Sequence, residues 1–358
     1  MIKRIFFIAV AIIAVFFLTN SFLEKKTTTK NTETNECAPI EKAREFQSQP
    51  YYNGKLIDAH VHMPVSSTIV GFVGRQLGFE GMPAFGGNLT MNYVNCLFQS
   101  EGITQSIGFF LPTKFSLSQE ISAVKNSEKK YAGAIAPFLM PAPYSALRIT
   151  IKEVRDTLDK NKGLFKGIGE IKVFDGTNLD NPYFTELFQI ASEYNLPVMM
   201  HPYQKDKATV EKILRQYPNV NFLLHGGDDR EWITDLMAEY KNVYRSIDAD
   251  TTFLYGYKPE HQQGKGITKE EWLAYIRENF ETRLNNELDF WKPKIEAYPD
   301  RFMWGTDRWY SWHFDFEVGG LLEEFGRSFI GKLDPTVREK FAYENAERLL
   351  SSSKQKAE

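Results

Sequence analysis

Cysteine is scarce, histidine is scarce, and positive charge is nowhere clustered. Two cysteines, Cys37 and Cys96, could form a disulfide in an oxidising compartment, but their positions alone fix no pairing. Cys37 also lies too far from the N-terminal apolar run to read as a lipid-attachment site. The 43 Lys and Arg residues stand against 46 Asp and Glu, a net charge of -3 spread along the chain. That distribution excludes a nucleic-acid surface, which needs clustered Lys and Arg. No segment repeats at a fixed period. There are six histidines in 358 residues, so where they fall is informative.

What is present begins at the N-terminus. MIKR is followed by the uncharged run Ile5 to Leu23 and then by Glu24-Lys25-Lys26. A membrane-spanning helix needs about 20 apolar residues, and the apolar part of a signal peptide about 7–15 with a small-residue cleavage site behind it. The run lies between the two and lacks a clean A-x-A site, so residues 1–23 are expected to be a transmembrane anchor or a signal peptide, with an uncleaved anchor favoured. Lys3 and Arg4 would hold the N-terminus in the cytoplasm, so the rest of the chain is expected outside it. That means a periplasm-like location, or secretion if the segment is cleaved. Residues 24–50 are rich in Thr, Asn, Lys and Glu and read as a flexible tether. A folded domain is expected over 51–350, and 351–358 form a polar tail.

Within the domain, short apolar runs alternate with amphipathic stretches, the pattern of βαβ units. Strands are expected near 55–62, 105–111, 131–139, 166–174, 196–201, 220–225, 242–247 and 301–306. Helices fill the gaps. Pro182 to Asn195 places Phe184, Leu187, Phe188, Ala191 and Tyr194 at helical spacing, and Thr209 to Tyr217 does the same with Val210, Ile213, Leu214 and Tyr217. Eight such units predict an α/β fold, a (β/α)8 TIM-like barrel. An open doubly wound sheet is the competitor, but it gathers its functional residues at one switch point. Here the polar candidates end the first, fifth, sixth and eighth runs, which a closed barrel brings together. The segments 64–104 and 249–298, the second with a helical stretch from Lys269 to Lys294, read as insertions over the barrel mouth.

Those candidates sit in LIDAHVH (His60, His62), LPVMMH (His201), NFLLH (His225) and RFMWGTD (Asp307). Side chains alternate along a strand, so His60 and His62 share a face and could bind one metal ion. Each residue alone has a plainer reading, a packed strand-end histidine or, for Asp307, a helix N-cap. Their joint occurrence at strand ends favours the metal. On the fourth run Glu170 and Lys172 share a face, as ligands or as an internal ion pair.

At these residues the chain resembles the amidohydrolase superfamily, in particular its amidohydrolase-related group, over about 55–350. His60-Val61-His62 matches the H-x-H of the first strand; His201, His225 and Asp307 match the family's residues on strands five, six and eight. Asn345-Ala346-Glu347-Arg348-Leu349-Leu350 is similar to its closing helix. The resemblance implies a divalent metal, zinc or a similar ion, one or two per chain, held by His60, His62, His201 and Asp307. Related subfamilies carry a bridging Glu or a carboxylated Lys on strand four, which makes Glu170 a further ligand and Lys172 the alternative. Asp307 would orient the attacking water and take its proton, and His225 would assist it or the developing negative oxygen. Arg308 suits an anionic substrate group, Tyr203 and Trp309 a ring or acyl chain, and Arg245 on the seventh strand is a further substrate-binding candidate. The implied reaction is hydrolysis of an amide, lactone or ester of a small organic molecule. Two alternatives are a metal-dependent nonoxidative decarboxylase and a non-catalytic metal- or ligand-binding barrel. The expected partners are a small-molecule substrate, the membrane through the N-terminal segment, and a second copy if the chain forms a homo-oligomer.

Overall fold

Eight parallel strands follow one another around a single sheet in chain order, β1 to β8. The computed structural model describes residues 37, 44–64, 89–226, 231–248, 268–309 and 311–351. The apolar run Ile5 to Leu23, the tether up to residue 43 apart from Cys37, and residues 352–358 lie outside the described residues, as do residues 65–88 of the first expected insertion and 249–267 of the second. Among the described residues no helix is long and apolar enough to cross a membrane. Cys37 and Cys96 are both disulfide-bonded.

The strands are β1 Leu56–His62, β2 Ile103–Phe110, β3 Ile135–Leu139, β4 Gly167–Ile171, β5 Val198–Met200, β6 Phe222–Leu224, β7 Val243–Ile247 and β8 Phe302–Trp304. Between and after them run α1 Met91–Ser100, α2 Leu117–Lys130, α3 Ile151–Lys160, α4 Pro182–Glu193, α5 Lys207–Gln216, α6 Trp232–Glu239, α7 Lys269–Ala297, α8 Phe316–Gly331 and α9 Asn345–Ser351. The barrel closes where β1 meets the segment after β8. Val61 bridges Arg308 in parallel, and His62 N donates to Arg308 O at 2.9 Å.

Strands β5, β6 and β8 are shorter than the apolar runs suggested, because the functional residues lie just past the ladder. His201 N donates to Ile171 O at 3.0 Å and His225 N to Met200 O at 3.2 Å, so each backbone is still fixed by the strand beside it. A period of two then decides where their side chains go. Met199, Leu223 and Met303 belong to an inner cluster with Ile57, Ala59, Ile107, Phe109 and Phe138. Their neighbours Val198, Met200, Phe222, Leu224, Phe302 and Trp304 pack outward with the helices. His201, His225 and Asp307 continue the inner row.

The helices form where the spacing predicted. In α4 the Asn181 side chain accepts from Phe184 N at 3.1 Å, Pro182 opens the first turn, and Phe184, Leu187, Phe188 and Ala191 are buried. The closing helix is anchored by Asn345, whose side-chain amide donates to Phe302 O at 2.6 Å and to Pro299 O at 2.8 Å. That ties α9 directly to β8.

The tether ends earlier than its composition suggested. The amides of Glu45, Phe46 and Gln47 donate to the buried Glu324 carboxylate of α8 at 2.7, 2.9 and 2.9 Å, and Phe46 stacks on Phe280 of α7 at 4.0 Å. Residues 44–50 are therefore part of the folded domain. A carboxylate receiving three amides offsets its own burial, and polar composition alone does not reveal it.

Candidate metal centre

Two strands reach the centre through irregularities. The pairing of β1 with β2 shifts between Asp58 and Val61, so the inner row of Ile57 and Ala59 gives way to His60 and His62. The pairing of β4 with β5 shifts between Ile168 and Ile171, around Glu170. Gly169 sits there at φ 130°, where an added Cβ would lie 2.4 Å from Met199 O; only glycine lets the two backbones approach so closely.

At the centre, His60 Nε2 and His62 Nε2 each lie 3.2 Å from Asp307 Oδ1. Glu170 stands among the other imidazoles, with Oε2 3.4 Å from His62 Nε2 and Oε1 2.9 Å from His201 Nδ1 and 2.6 Å from His225 Nε2. The nitrogens His201 Nδ1 and His225 Nε2 are 2.6 Å apart. Asp307 holds a left-handed backbone, φ 46°, uncommon for a non-glycine residue and frequent where function needs a particular side-chain direction. Gly226 makes room for His201, since a Cβ there would lie 2.6 Å from the ring.

The sequence reading missed Asp248, the residue after β7. Its Oδ2 lies 3.1 Å from His60 Nδ1 and 3.0 Å from His225 Nδ1, and it accepts from Ser246 Oγ at 2.8 Å. One carboxylate thus spans imidazoles from β1 and β6 and fixes their orientation, the arrangement usual behind metal-ligating histidines. The signal was present: Tyr244, Ser246 and Asp248 alternate as the inner row does.

The protonation states follow from burial and charge. Burial, with the charge of His225, lowers His60, and burial pushes His62 down to about 3. Burial, with Lys172 and His225 nearby, lowers His201 to about 4. These three imidazoles are neutral at physiological pH, the form that binds a metal. For His225 burial acts the same way, but Asp248 and Glu170 on either side hold it well above the ordinary value. Burial would raise Glu170, yet Lys172, His225 and the hydrogen bonds from His201 and His225 keep it well below.

Among the described residues three overlapping groups could each hold a cation: His60, His225, Asp248 and Asp307; His60, His62 and Glu170; and Glu170, His201 and His225. The donor set is imidazole and carboxylate with no thiolate, which suits zinc or a similar divalent ion. His60 Nε2 is buried without a hydrogen-bond partner, so a cation there would satisfy an otherwise unmet acceptor. Glu170 takes part in two of the three groups. Lys172 stands beside them, half-buried, its ammonium 5.7 Å from the centre of the Phe174 ring.

The proposed substrate residues separate. Tyr203 comes to the site, its ring 5.6 Å from that of His201, and both line a cavity of about 310 Å³ with Phe174, Leu179 and Lys205. Arg308 does not. It is fully buried and pairs with both oxygens of Glu101, at 3.1 and 2.6 Å. Arg245 is also buried, with its guanidinium 4.7 Å over the Trp291 ring. Trp309 is half-buried, and its backbone N–H donates to His313 Nδ1 at 3.2 Å.

An amidohydrolase from Burkholderia multivorans, solved in one crystal form with zinc bound, superposes with a TM-score of 0.53 at 15% identity, over 83% of this chain and 99% of its own. A second crystal form of that protein gives 0.53 at 14% over the same shares. A TIM-barrel protein from Bordetella bronchiseptica gives 0.49 at 17%, over 84% of this chain and 100% of its own. At such identities the likeness to the Burkholderia multivorans protein shows the fold alone. No curated protein matches the sequence. The amidohydrolase family model, however, matches residues 57–351. A match running from the start of β1 to the end of α9 means that this chain belongs to the amidohydrolase family.

Proposed function

We propose that the protein is a metal-dependent hydrolase that cleaves an amide, lactone or ester bond of a small organic molecule. The observation that carries this reading is the convergence of imidazoles and carboxylates from β1, β4, β5, β6, β7 and β8 within hydrogen-bond distances of one another. His60, His62, Asp307, His201 and Glu170 would hold the ion, with Glu170 between two positions. When bound, a divalent ion there supplies Lewis-acid polarisation and acidifies water. The remaining chemistry belongs to the chain. Asp307 orients the attacking water, accepts its proton and passes it to the leaving nitrogen or oxygen as the bond to the acyl carbon breaks. His225, flanked by Glu170 and Asp248, offers a hydrogen bond to an oxygen that becomes negative. Asp248 keeps the rings of His60 and His225 in place. Substrate enters beside Tyr203 and Phe174, where the cavity admits a small molecule.

A decarboxylase on this site would need a cationic side chain to hold the substrate carboxylate, and both arginines named as substrate-binding candidates are buried, Arg308 against Glu101 and Arg245 over Trp291. The hydrolase reading is tested with the zinc-loaded full chain on a panel of lactones, esters and amides in ¹⁸O-labelled water. Turnover with one labelled oxygen in the product is expected; carbon dioxide release without label would replace hydrolysis with decarboxylation.

We infer further that the barrel works outside the cytoplasm, on the strength of the apolar run Ile5 to Leu23 and of the disulfide-bonded cysteines. In spheroplasts of a Gram-negative expression host, external protease is expected to reach the catalytic domain. Full protection until the cells are lysed would contradict this.

A further inference from the structure

Asp307 is held from both of its neighbours in sequence by residues that the proposed chemistry does not use. On one side, Thr306 is fixed to Asp58 of β1: Thr306 N donates to Asp58 Oδ1 at 3.0 Å and Thr306 Oγ1 to Asp58 Oδ2 at 2.6 Å. The same Oδ1 accepts from His60 N at 3.1 Å, so one carboxylate ties the turn after β8 to the backbone of a metal-ligand candidate. On the other side, Arg308 gives both terminal guanidinium nitrogens to Glu101, just past α1, with its guanidinium 5.6 Å from the Phe98 ring of that helix. Its backbone carbonyl accepts from His62 N at 2.9 Å. Asp58, Glu101, Thr306 and Arg308 are all buried. Between the two grips lies the left-handed Asp307, whose carboxylate stands 3.2 Å from both His60 and His62.

We propose that Asp58 and Glu101 are positioning residues, a two-sided clamp that keeps Asp307 in its left-handed conformation and its carboxylate on the His60 and His62 imidazoles. The inference rests on the reading of Asp307 as a metal ligand and proton acceptor. A left-handed non-glycine residue persists where its surroundings over-determine it, and bidentate arginine pairing with hydrogen bonds to carboxylate is the strong form of such restraint. Glu101 is in turn seated by α8. A Cβ at Gly319 would lie 2.0 Å from Glu101 Oε1, with Leu97 of α1 as the next neighbour, so even Gly319→Ala should displace the clamp.

The test compares Asp58→Asn, Glu101→Gln and Gly319→Ala with Glu324→Gln, which removes a similarly buried carboxylate that holds the amides of residues 45–47 and lies 3.8 Å from Arg44 Nε. Two quantities are read: zinc affinity by chelator competition, and amide hydrogen exchange of the peptide spanning 305–309 in the metal-free protein. The three clamp variants are expected to bind zinc at least tenfold more weakly and to exchange this peptide at least tenfold faster. Glu324→Gln should change neither beyond its general loss of stability. Clamp variants that match Glu324→Gln in exchange would overturn the proposal. Should the unmodified protein bind no zinc, the metal reading fails while the exchange comparison still decides the clamp.

Discussion

Asp307→Asn is expected to lower kcat by about 10³-fold while leaving KM within a few-fold, the size of effect that follows loss of a positioned proton acceptor. Asparagine keeps the volume and tolerates the left-handed backbone at φ 46°, so the fold and the clamp around it should survive. What disappears is the negative charge that faces His60 Nε2 and His62 Nε2, each at 3.2 Å, and the basic oxygen itself. Steady-state kinetics on metal-replete protein, with far-ultraviolet circular dichroism to show an intact barrel, measure it. A variant that keeps a tenth or more of the parental kcat would remove Asp307 from the chemistry.

Glu170→Gln is expected to halve the bound metal if two ions are held, or to weaken a single ion by about 10–100-fold or more. The carboxylate has imidazoles on three sides, His62, His201 and His225, and a neutral amide cannot balance them. Its removal also takes from the raised His225 one of the two carboxylates that hold it up, leaving Asp248 at 3.0 Å. Lys172→Met is the informative contrast. Lys172 acts on this site through its charge, lowering both Glu170 and His201. Its loss should therefore shift metal affinity modestly and leave stoichiometry unchanged. The opposite pattern, full metal in Glu170→Gln and loss in Lys172→Met, would make the lysine the bridging group.

Much of this was legible in the sequence because a barrel strand carries two signals at once, apolar inward residues and a polar residue at its end. VMMH, FLLH and FMWGTD show both without interruption, and the inner row of Met199, Leu223 and Met303 points straight at His201, His225 and Asp307. Asp248 was missed because its run, VYRSID, is broken by Arg245 and Ser246, which hide the apolar half of the signal. Arg308 was misplaced for a different reason. Adjacency to Asp307 fixes its backbone, but alternation sends its side chain away from the inner row, where Glu101 receives it. Glu101 belongs to a stretch read as insertion, and no local pattern links residues 101 and 308. Long-range pairing of that kind appears only once the barrel has closed.

The central claim is that the converging imidazoles and carboxylates form a metal centre, and its most direct test is elemental analysis of the purified full chain after equilibration with zinc and removal of loosely bound metal. One or two equivalents of zinc per chain are predicted, with the loss of at least one in His60→Ala and in His201→Ala. Zinc at background level in a protein whose barrel is folded would contradict the account.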